Sequence, residues 1–475
     1  MDQLHRRPTV VVVGGGVTGL VAARRLALGG CATTLVEGSH RLGGQVRTIH
    51  FAGRSVDVGA EALHLGSPGA RALVDELGLA EQVVGARPGT SLLWSSGRLR
   101  PLPAGVGPAG PTRLRPVVSS RVMSLRGLGR AGLEPLAAHV TAPLGPDADT
   151  SVGGFLETRF GREVADRLVD PLLGSLHAGD IDALSLRACA PSLVGPATER
   201  RSLLLRRRSA RATPAGPLPS FASFADGLRV LTDQVLADTD VEVRLGREVL
   251  ALERLGSGYR VHLGDGAELE AEAVVLALPA HRAATILAGS AASLAHRLGQ
   301  VETASVATVV LALDRPATDD LRAFRANGLL VPSRSGLLLK AMTHLSHKWP
   351  HLDDGRTTLL RLSAGRFGDA TIEETRDEEL VAMLLTELHR LTGLTAEPVA
   401  VHVERWPHGM PQQTVGHRAR IRSLRDDLVG ELPAVVVAGA SYDGLGLAAC
   451  MSSAEDGAAL ALAHLSHPNH ARSLT

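Results

Sequence analysis

Val10-Val11-Val12-Val13-Gly14-Gly15-Gly16-Val17-Thr18-Gly19 decides the fold. Four consecutive β-branched residues read as a strand buried on both faces, as in a parallel sheet. The glycines follow in G-x-G-x-x-G spacing. Gly14 permits a tight turn, Gly16 removes a Cβ that would stand before a phosphate, and Gly19 lets the next helix pack on the strand. That helix, Leu20 to Leu26, aims its first N–H groups at an anion. A second strand, Ala32 to Val36, ends at Glu37, the distance at which a carboxylate accepts a ribose hydroxyl. The same carboxylate would repel a 2′-phosphate and argues against NADP. The expectation is a dinucleotide site; the plainer alternative is a strand, turn and helix with an incidental acid.

The chain has 475 residues, so two or three domains or one interleaved unit are expected. Net charge is +1, which provides no global field for nucleic acid or anionic lipid. Cys31, Cys189 and Cys450 fit neither a metal site nor a disulfide framework, in keeping with a reduced, cytoplasmic setting. The first apolar run reads as a strand rather than a signal peptide. No stretch is long and apolar enough to span a bilayer, and peripheral membrane contact stays open. Glu199 to Arg211 carries Arg200, Arg201, Arg206, Arg207, Arg208 and Arg211. These suit either an anionic surface or a solvated loop, and the loop is the preferred reading. Without interleaved aromatics, nucleic-acid stacking has no support. The only lysines, Lys340 and Lys348, share one short segment. An ammonium is a compact point donor that Arg does not mimic where space is tight.

Further along, Val46–Ile49 and Ser55–Gly59 alternate like strands, and 70–79 reads as a helix closed by Gly78. Residues 94–116 are rich in Gly and Pro and are expected to wrap the surface. Residues 125–140 have helical spacing. A helix starting near Ser151 should run through 155–169, with Gly161 interrupting it and Pro171 ending or kinking it. Strands are expected over 241–278 and at 306–313, 357–362, 399–404 and 434–438. A second glycine turn, Gly439 to Leu447, leads into an Ala-rich helix. The economical reading is one nucleotide domain built from the first, middle and last segments, with a substrate domain threaded between them.

The opening turn, followed by Glu37-x-x-x-Arg41-x-Gly43-Gly44, resembles that of the flavin amine oxidase superfamily. Asp170-Pro171-Leu172-Leu173-Gly174, Ala178-Gly179-Asp180, Leu184-Ser185-Leu186-Arg187, Lys348-Trp349, Arg405-Trp406-Pro407 and Tyr442-Asp443-Gly444-x-Gly446 narrow the likeness. In order along the chain, they resemble the bacterial coproporphyrinogen and protoporphyrinogen oxidases of haem synthesis. The resemblance implies an α/β fold: a Rossmann-like FAD-binding domain of discontinuous segments, a mixed-sheet substrate domain and a helical insertion. Residues 1–90, 216–290 and 404–475 would bind FAD, 91–215 would form a substrate- or membrane-facing insertion, and 291–403 would bind substrate. It also implies non-covalent FAD, a porphyrinogen substrate, and molecular oxygen as acceptor with hydrogen peroxide as product. A transient contact with a ferrochelatase-type enzyme is compatible with it.

Residue by residue, the resemblance assigns Gly14, Gly15, Gly16, Val17, Thr18 and Gly19 to the pyrophosphate. It assigns Glu37 and Gly38 to the adenosine ribose, and Arg41, Gly44 and Gln45 to the phosphate and ribityl side. Gly59, Ala60, Glu61 and Ala62 correspond to a loop near the flavin ring, and Val249 to an adenine contact. Trp406, Gly439, Gly444, Leu445, Gly446 and Leu447 would pack on the isoalloxazine. Four departures stand out: Ala60 for a usual Pro, Leu65-Gly66-Ser67 for basic residues, His177 for a Tyr, and Leu447-Ala448 for a common Ile-Pro. His177 and Lys340 are the candidate substrate residues. Lys340 is also the one candidate catalytic residue, placing water or oxygen near the flavin or binding a propionate. No metal is expected, and Cys450 does not match covalent flavin attachment. The preferred reaction is coproporphyrinogen III to coproporphyrin III. Protoporphyrinogen IX oxidation, an amine oxidase, a carotenoid-type desaturase and a non-catalytic porphyrin- or haem-binding flavoprotein remain as alternatives. With only Tyr259 and Tyr442, an amine-oxidase aromatic cage would be hard to build.

Overall fold

The computed structural model describes residues 6–205 and 218–466. In chain order, the strands of its two principal sheets are β1 (Thr9–Val13), β2 (Ala32–Glu37), β3 (Ser91–Ser95), β4 (Arg98–Pro101), β5 (Glu242–Leu245), β6 (Ala273–Leu276), β7 (Thr303–Asp314), β8 (Gly328–Leu330), β9 (Leu339–His344), β10 (Thr357–Ala364), β11 (Ala400–Pro411) and β12 (Val435–Val437). The valine run is β1, at the centre of a five-stranded sheet ordered β5-β2-β1-β6-β12. Every pairing in it is parallel. Val10–Val13 lie in register with Thr33–Val36 on one side and Ala273–Leu276 on the other. Stretches far apart in sequence thus close one sheet, the discontinuous nucleotide-binding fold that the sequence implied.

Both faces of this sheet are covered, so its strands carry continuous apolar runs rather than alternation. Val10, Val12, Leu35 and Val275 pack under helices α1 (Val17–Leu28) and α2 (Leu447–Ser466). Val11, Val13, Val36 and Val274 face a second core with Leu287, Leu294, Ile421 and Leu424. Gly19 makes the strand-to-helix packing feasible: a Cβ there would stand 1.7 Å from the Gly14 carbonyl oxygen. Gly14 itself sits at φ +106°, a conformation that disfavours any side chain.

The second sheet is mixed, in the order β11-β7-β10-β9-β8-β3-β4. One face carries Val309, Leu311, Leu360 and Leu362, which pack against the Leu380, Leu384 and Leu388 stripe of the helix Asp377–Thr392. The other face presents Val310, Ala312 and Leu359 toward Val56, Val58 and Trp349. β11 runs across residues 403 and 404, where the sequence reading drew a boundary.

Several local expectations need correction. Residues 94–116 do not merely wrap the surface. Ser91–Ser95 and Arg98–Pro101 form a hairpin that completes the mixed sheet, with Gly97 at φ +73° in its turn. The abundance of Gly and Pro masked a short apolar strand, Leu92-Leu93-Trp94. Residues 125–140 form two helices, Leu125–Gly132 and Glu134–Val140, broken at Leu133 before Pro135. Pro171 does not end its helix. It lies inside a wide, π-type stretch, Ala165–Gly174, buried against the insertion core. Arg206, Arg207, Arg208 and Arg211 lie outside the described residues.

Gly19→Ala should destabilise the protein by about 3 kcal/mol or more, because the new methyl meets main chain that cannot yield. Gly299→Ala, at a helix end where a Cβ meets nothing within 4 Å, should be neutral or slightly stabilising. Thermal unfolding of the two variants beside wild type checks the contrast.

Candidate cofactor and substrate site

Helices α1 and α2 lie side by side and run the same way. The Thr18 hydroxyl donates to the Cys450 carbonyl at 3.4 Å, Arg25 pairs with Glu455 at 3.0 Å, and Gly29 abuts Leu462. Two helix N-termini therefore meet at one end of the parallel sheet. Each carries roughly half a positive charge, so their adjacency is unfavourable until an anion shares it. Gly439 lies between them, its would-be Cβ 3.3 Å from the Thr18 hydroxyl.

The floor of this region is bare main chain. A Cβ on Gly16 would meet only Gly44 Cα, at 3.9 Å, and one on Gly446 would meet nothing within 4 Å. Gly44 is at φ +56° and comes close to Gly16; their loops are joined by the Gly43 N–H donating to the Gly15 carbonyl at 2.8 Å. Glu37 bends back over the turn. One carboxylate oxygen accepts from the Gly15 N–H at 2.6 Å and the other from the Ser39 N–H at 2.8 Å. Each oxygen keeps a lone pair for a further donor. The Arg247 N–H donates to the Glu37 carbonyl and the Gly246 N–H to the Ser39 carbonyl, which sets Val249 and Gly38 beside the end of β2. Arg41 points at its own loop, donating to the carbonyls of Leu42, Gly44 and Val46. It is a clamp on the Gly43-Gly44 turn more than an anion ligand. This groove, with open glycines and two helix N-termini, fits the diphosphate of FAD. Its neighbouring carboxylate fits a ribose.

The loop assigned to the flavin ring is held as tightly. A Cβ on Gly59 would stand 1.9 Å from the Gln45 carbonyl oxygen and 3.0 Å from the Trp406 ring. The Gln45 side chain donates to the Gly409 carbonyl at 2.7 Å, and the Trp406 indole N–H to the Val58 carbonyl at 3.4 Å. The Ala60 departure has a local use: its N–H donates to the Gln45 carbonyl at 2.9 Å, a bond that proline lacks. Ala62 packs under Trp349.

Glu61 has a role that the sequence did not suggest. Its carboxylate accepts from the Lys348 ammonium at 2.6 Å, the Trp349 indole at 3.0 Å and Arg361 at 3.0 Å. Burial works to raise its pKa, but the Lys348 and Arg361 charges prevail and hold it at about 2. Arg361 also donates to the Gly59 carbonyl at 2.5 Å, tying the loop to β10. Arg361 was missed in the sequence. Its signal is a lone cation in the apolar run Leu359-Leu360-Arg361-Leu362.

The two lysines therefore part company: Lys348 is ion-paired at the loop, and Lys340 is not. Lys340 sits at a break in the β9–β10 pairing, 4% exposed. Burial first, then the Arg366 and Arg361 charges, push its pKa down to about 7. His177 is also buried, and burial pulls it to about 4, so it is neutral. Its carbonyl accepts from the Gln412 side chain at 3.0 Å. A cleft of about 590 Å³ beside Ser305, Glu373, Asp377 and Arg405 contains none of the sequence-predicted site residues.

The chain belongs to the family described as flavin containing amine oxidoreductase, whose pattern matches residues 17–462, and its cofactor is a flavin. It is 32% identical to the coproporphyrinogen III oxidase of Bacillus subtilis, over 96% of this chain and 98% of that one. It is 36% identical to the enzyme of that name from Mycobacterium tuberculosis, over 93% and 95%. Bovine protoporphyrinogen oxidase is 32% identical over 96% and 98%. Among solved structures, cyclohexylamine oxidase from Brevibacterium oxydans shares the fold at TM-score 0.69 and 18% identity, over 97% of this chain and 100% of that one.

Glu61→Gln should cost about 3 kcal/mol at neutral pH, because it leaves two mostly buried cations short of their anion. The Glu61 pKa is depressed, so its contribution is complete above the ordinary value near 4.5 and is lost as pH falls toward about 2. Melting curves from pH 6 to pH 2 should show the gap between wild type and Glu61→Gln closing across that window.

Proposed function

We propose that this flavoprotein oxidises coproporphyrinogen III to coproporphyrin III in haem synthesis, with FAD bound non-covalently and oxygen reduced to hydrogen peroxide. The observation that carries this reading is the near end-to-end likeness to proteins named coproporphyrinogen III oxidase. The buried cations beside the mixed sheet suit a substrate bearing carboxylates.

The site residues have separate tasks. Gly14 to Gly19 and Gly44 would line the diphosphate, and Glu37 would take the adenosine ribose, with Gly38 and Val249 beside it. Gly439 and Gly444 to Leu447 would bring the N-terminus of α2 to the cofactor beside that of α1. Trp406 and Gly59 to Ala62 would line the ring. The flavin, when bound, supplies hydride acceptance and reoxidation by oxygen. The protein is left with orienting a macrocycle and keeping water away. His177, neutral and buried, lies where the insertion meets the sheet and serves as a wall of the substrate space.

No described helix is long and apolar enough to cross a membrane. Leu125, Leu136 and Val140 stand exposed on the insertion near exposed Arg121 and Arg126, which supports peripheral contact with a membrane. A brief contact with a ferrochelatase-type enzyme would suit a reactive product.

Anaerobic mixing with coproporphyrinogen III should bleach the yellow flavin absorbance, and admitting oxygen should restore it with release of peroxide. Binding without bleaching would leave a carrier instead of an enzyme. Faster bleaching by protoporphyrinogen IX would move the substrate to that porphyrinogen.

A further inference from the structure

Three segments meet where the helical insertion touches the mixed sheet. The Phe367 N–H donates to the Ala178 carbonyl at 2.6 Å, the Gln412 side chain to the His177 carbonyl at 3.0 Å, and the Val331 N–H to the Lys340 carbonyl at 2.8 Å. The Arg366 guanidinium also donates to the Val331 carbonyl, at 3.0 Å, which sets it beside Lys340. Among the described residues this junction is rich in polar atoms without a partner. The Nε and Nη1 donors of Arg366, the Nε donor of Arg361 and the Nδ1 of His177 are buried and make no hydrogen bond there. Lys340 is 4% exposed and pairs with no described acid. The carboxylates that act on Arg366 are those of Asp170, Asp369 and Glu387. The Asp170 oxygens are taken by Ser333, whose N–H donates at 2.7 Å and whose hydroxyl donates at 2.9 Å, and those of Glu387 by the Leu338 and Leu339 N–H groups at 3.0 and 2.8 Å. Glu61 is occupied by Lys348, Trp349 and Arg361.

Buried cations and unpartnered guanidinium N–H groups are costly unless an anion completes them. The deficit is also directional. Arg366 keeps unused N–H groups at Nε and at Nη1, on different edges of the guanidinium, either of which a carboxylate accepts, and Lys340 adds a point charge next to it. The usual basic residues after the flavin loop are absent, since Leu65-Gly66-Ser67 stands there and Leu65 is buried. The positive charge for an acidic substrate has to come from elsewhere.

We propose that Lys340 and Arg366 together form a carboxylate-binding subsite that takes one propionate-type carboxylate of the macrocyclic substrate. This rests on the porphyrinogen reading above and deepens it. Lys340 acts as a substrate anchor, and the water- or oxygen-placing role is set aside. One carboxylate contacts both groups, so losing either side chain removes most of the interaction and losing both removes little more. The pH response follows from the same geometry. Arg361 and Arg366 from β10 and its following loop act on Lys340, and Asp170, Asp369 and Glu387 act in turn on Arg366. An ammonium depressed to about 7 sheds its proton in mildly alkaline solution, and the anchor weakens there.

The test uses flavin-loaded protein and the stable product coproporphyrin III, with its tetramethyl ester as the uncharged probe. Binding is read by quenching of porphyrin fluorescence, and flavin content is measured for each variant. Lys340→Met should fold: at pH 6 the wild-type chain bears the cost of burying a charged ammonium, so the variant should melt higher, with the gain fading as pH approaches 10. Lys340→Met and Arg366→Gln should each weaken tetra-acid binding tenfold or more at pH 6.5. The double variant should lose little beyond that, Lys340→Arg should recover part, and the ester should bind all forms alike. Wild-type affinity should fall between pH 6.5 and 9 while that of Lys340→Met stays flat. If wild type binds the tetra-acid and both single variants bind it as well, with normal flavin content, the subsite is overturned and the enzyme reading stands. If wild type neither binds porphyrin nor is bleached by either porphyrinogen, the enzyme reading falls and the subsite with it.

Discussion

Glu61 has the nearest approach to a keystone position in this protein. Its carboxylate comes from a loop of the nucleotide-binding segments, while all three of its donors, Lys348, Trp349 and Arg361, belong to the mixed sheet and its connections. The contact is made of charge-assisted bonds in a mostly buried setting, where each bond is short and directional. Through Arg361 the same contact reaches the Gly59 carbonyl. The loop that the sequence assigns to the flavin ring and the mixed sheet are thus fixed to each other by one set of hydrogen bonds. A few ångströms of drift between the two would defeat hydride transfer, so a rigid polar joint suits this boundary better than an apolar one, which can slide.

The other constraint is electrostatic. Parallel packing of α1 and α2 brings two positive helix ends together, and the glycines there leave room rather than fill it. A lone helix N-terminus is a weak anion site; two, joined by the Thr18–Cys450 contact, make a stronger one. The apolar seam between the helices and the strands beneath supplies the stability that this arrangement costs. Binding energy and folding energy therefore oppose each other in the apo chain and cooperate once a diphosphate is present.

Much of this was legible in the residues. The valine run, the glycine spacing and Glu37 give the strand, the turn, the helix and the acid beside them because each is a local signal: strand period, a turn that needs bare main chain, and an acid at a fixed offset. Cross-chain partnerships were not legible. Nothing near Glu61 announces that its cation lies about 300 positions later, and a single Arg in an apolar strand looks the same whether it faces solvent or a carboxylate. The hairpin at Ser91–Pro101 was hidden by its Gly and Pro content, because pairing with β8 supplies what propensity lacks. Of the two outcomes open at Pro171, an end or a kink, the chain does not end: a widened turn accommodates the missing N–H that would break an ordinary helix.

The strand order β5-β2-β1-β6-β12 also bears on how the chain is made. During synthesis β1 and β2 leave the ribosome first and can pair at once, but the open edge of β1 has to wait for β6, some 260 residues behind it. Then β6 waits in turn for β12. Such delayed, non-local pairing is slow and leaves apolar edges exposed to chaperones and to aggregation. The mixed sheet and the insertion emerge in that interval and can assemble first, as a nascent platform. A groove formed between α1 and α2 would then take shape only once the second of these helices has been made.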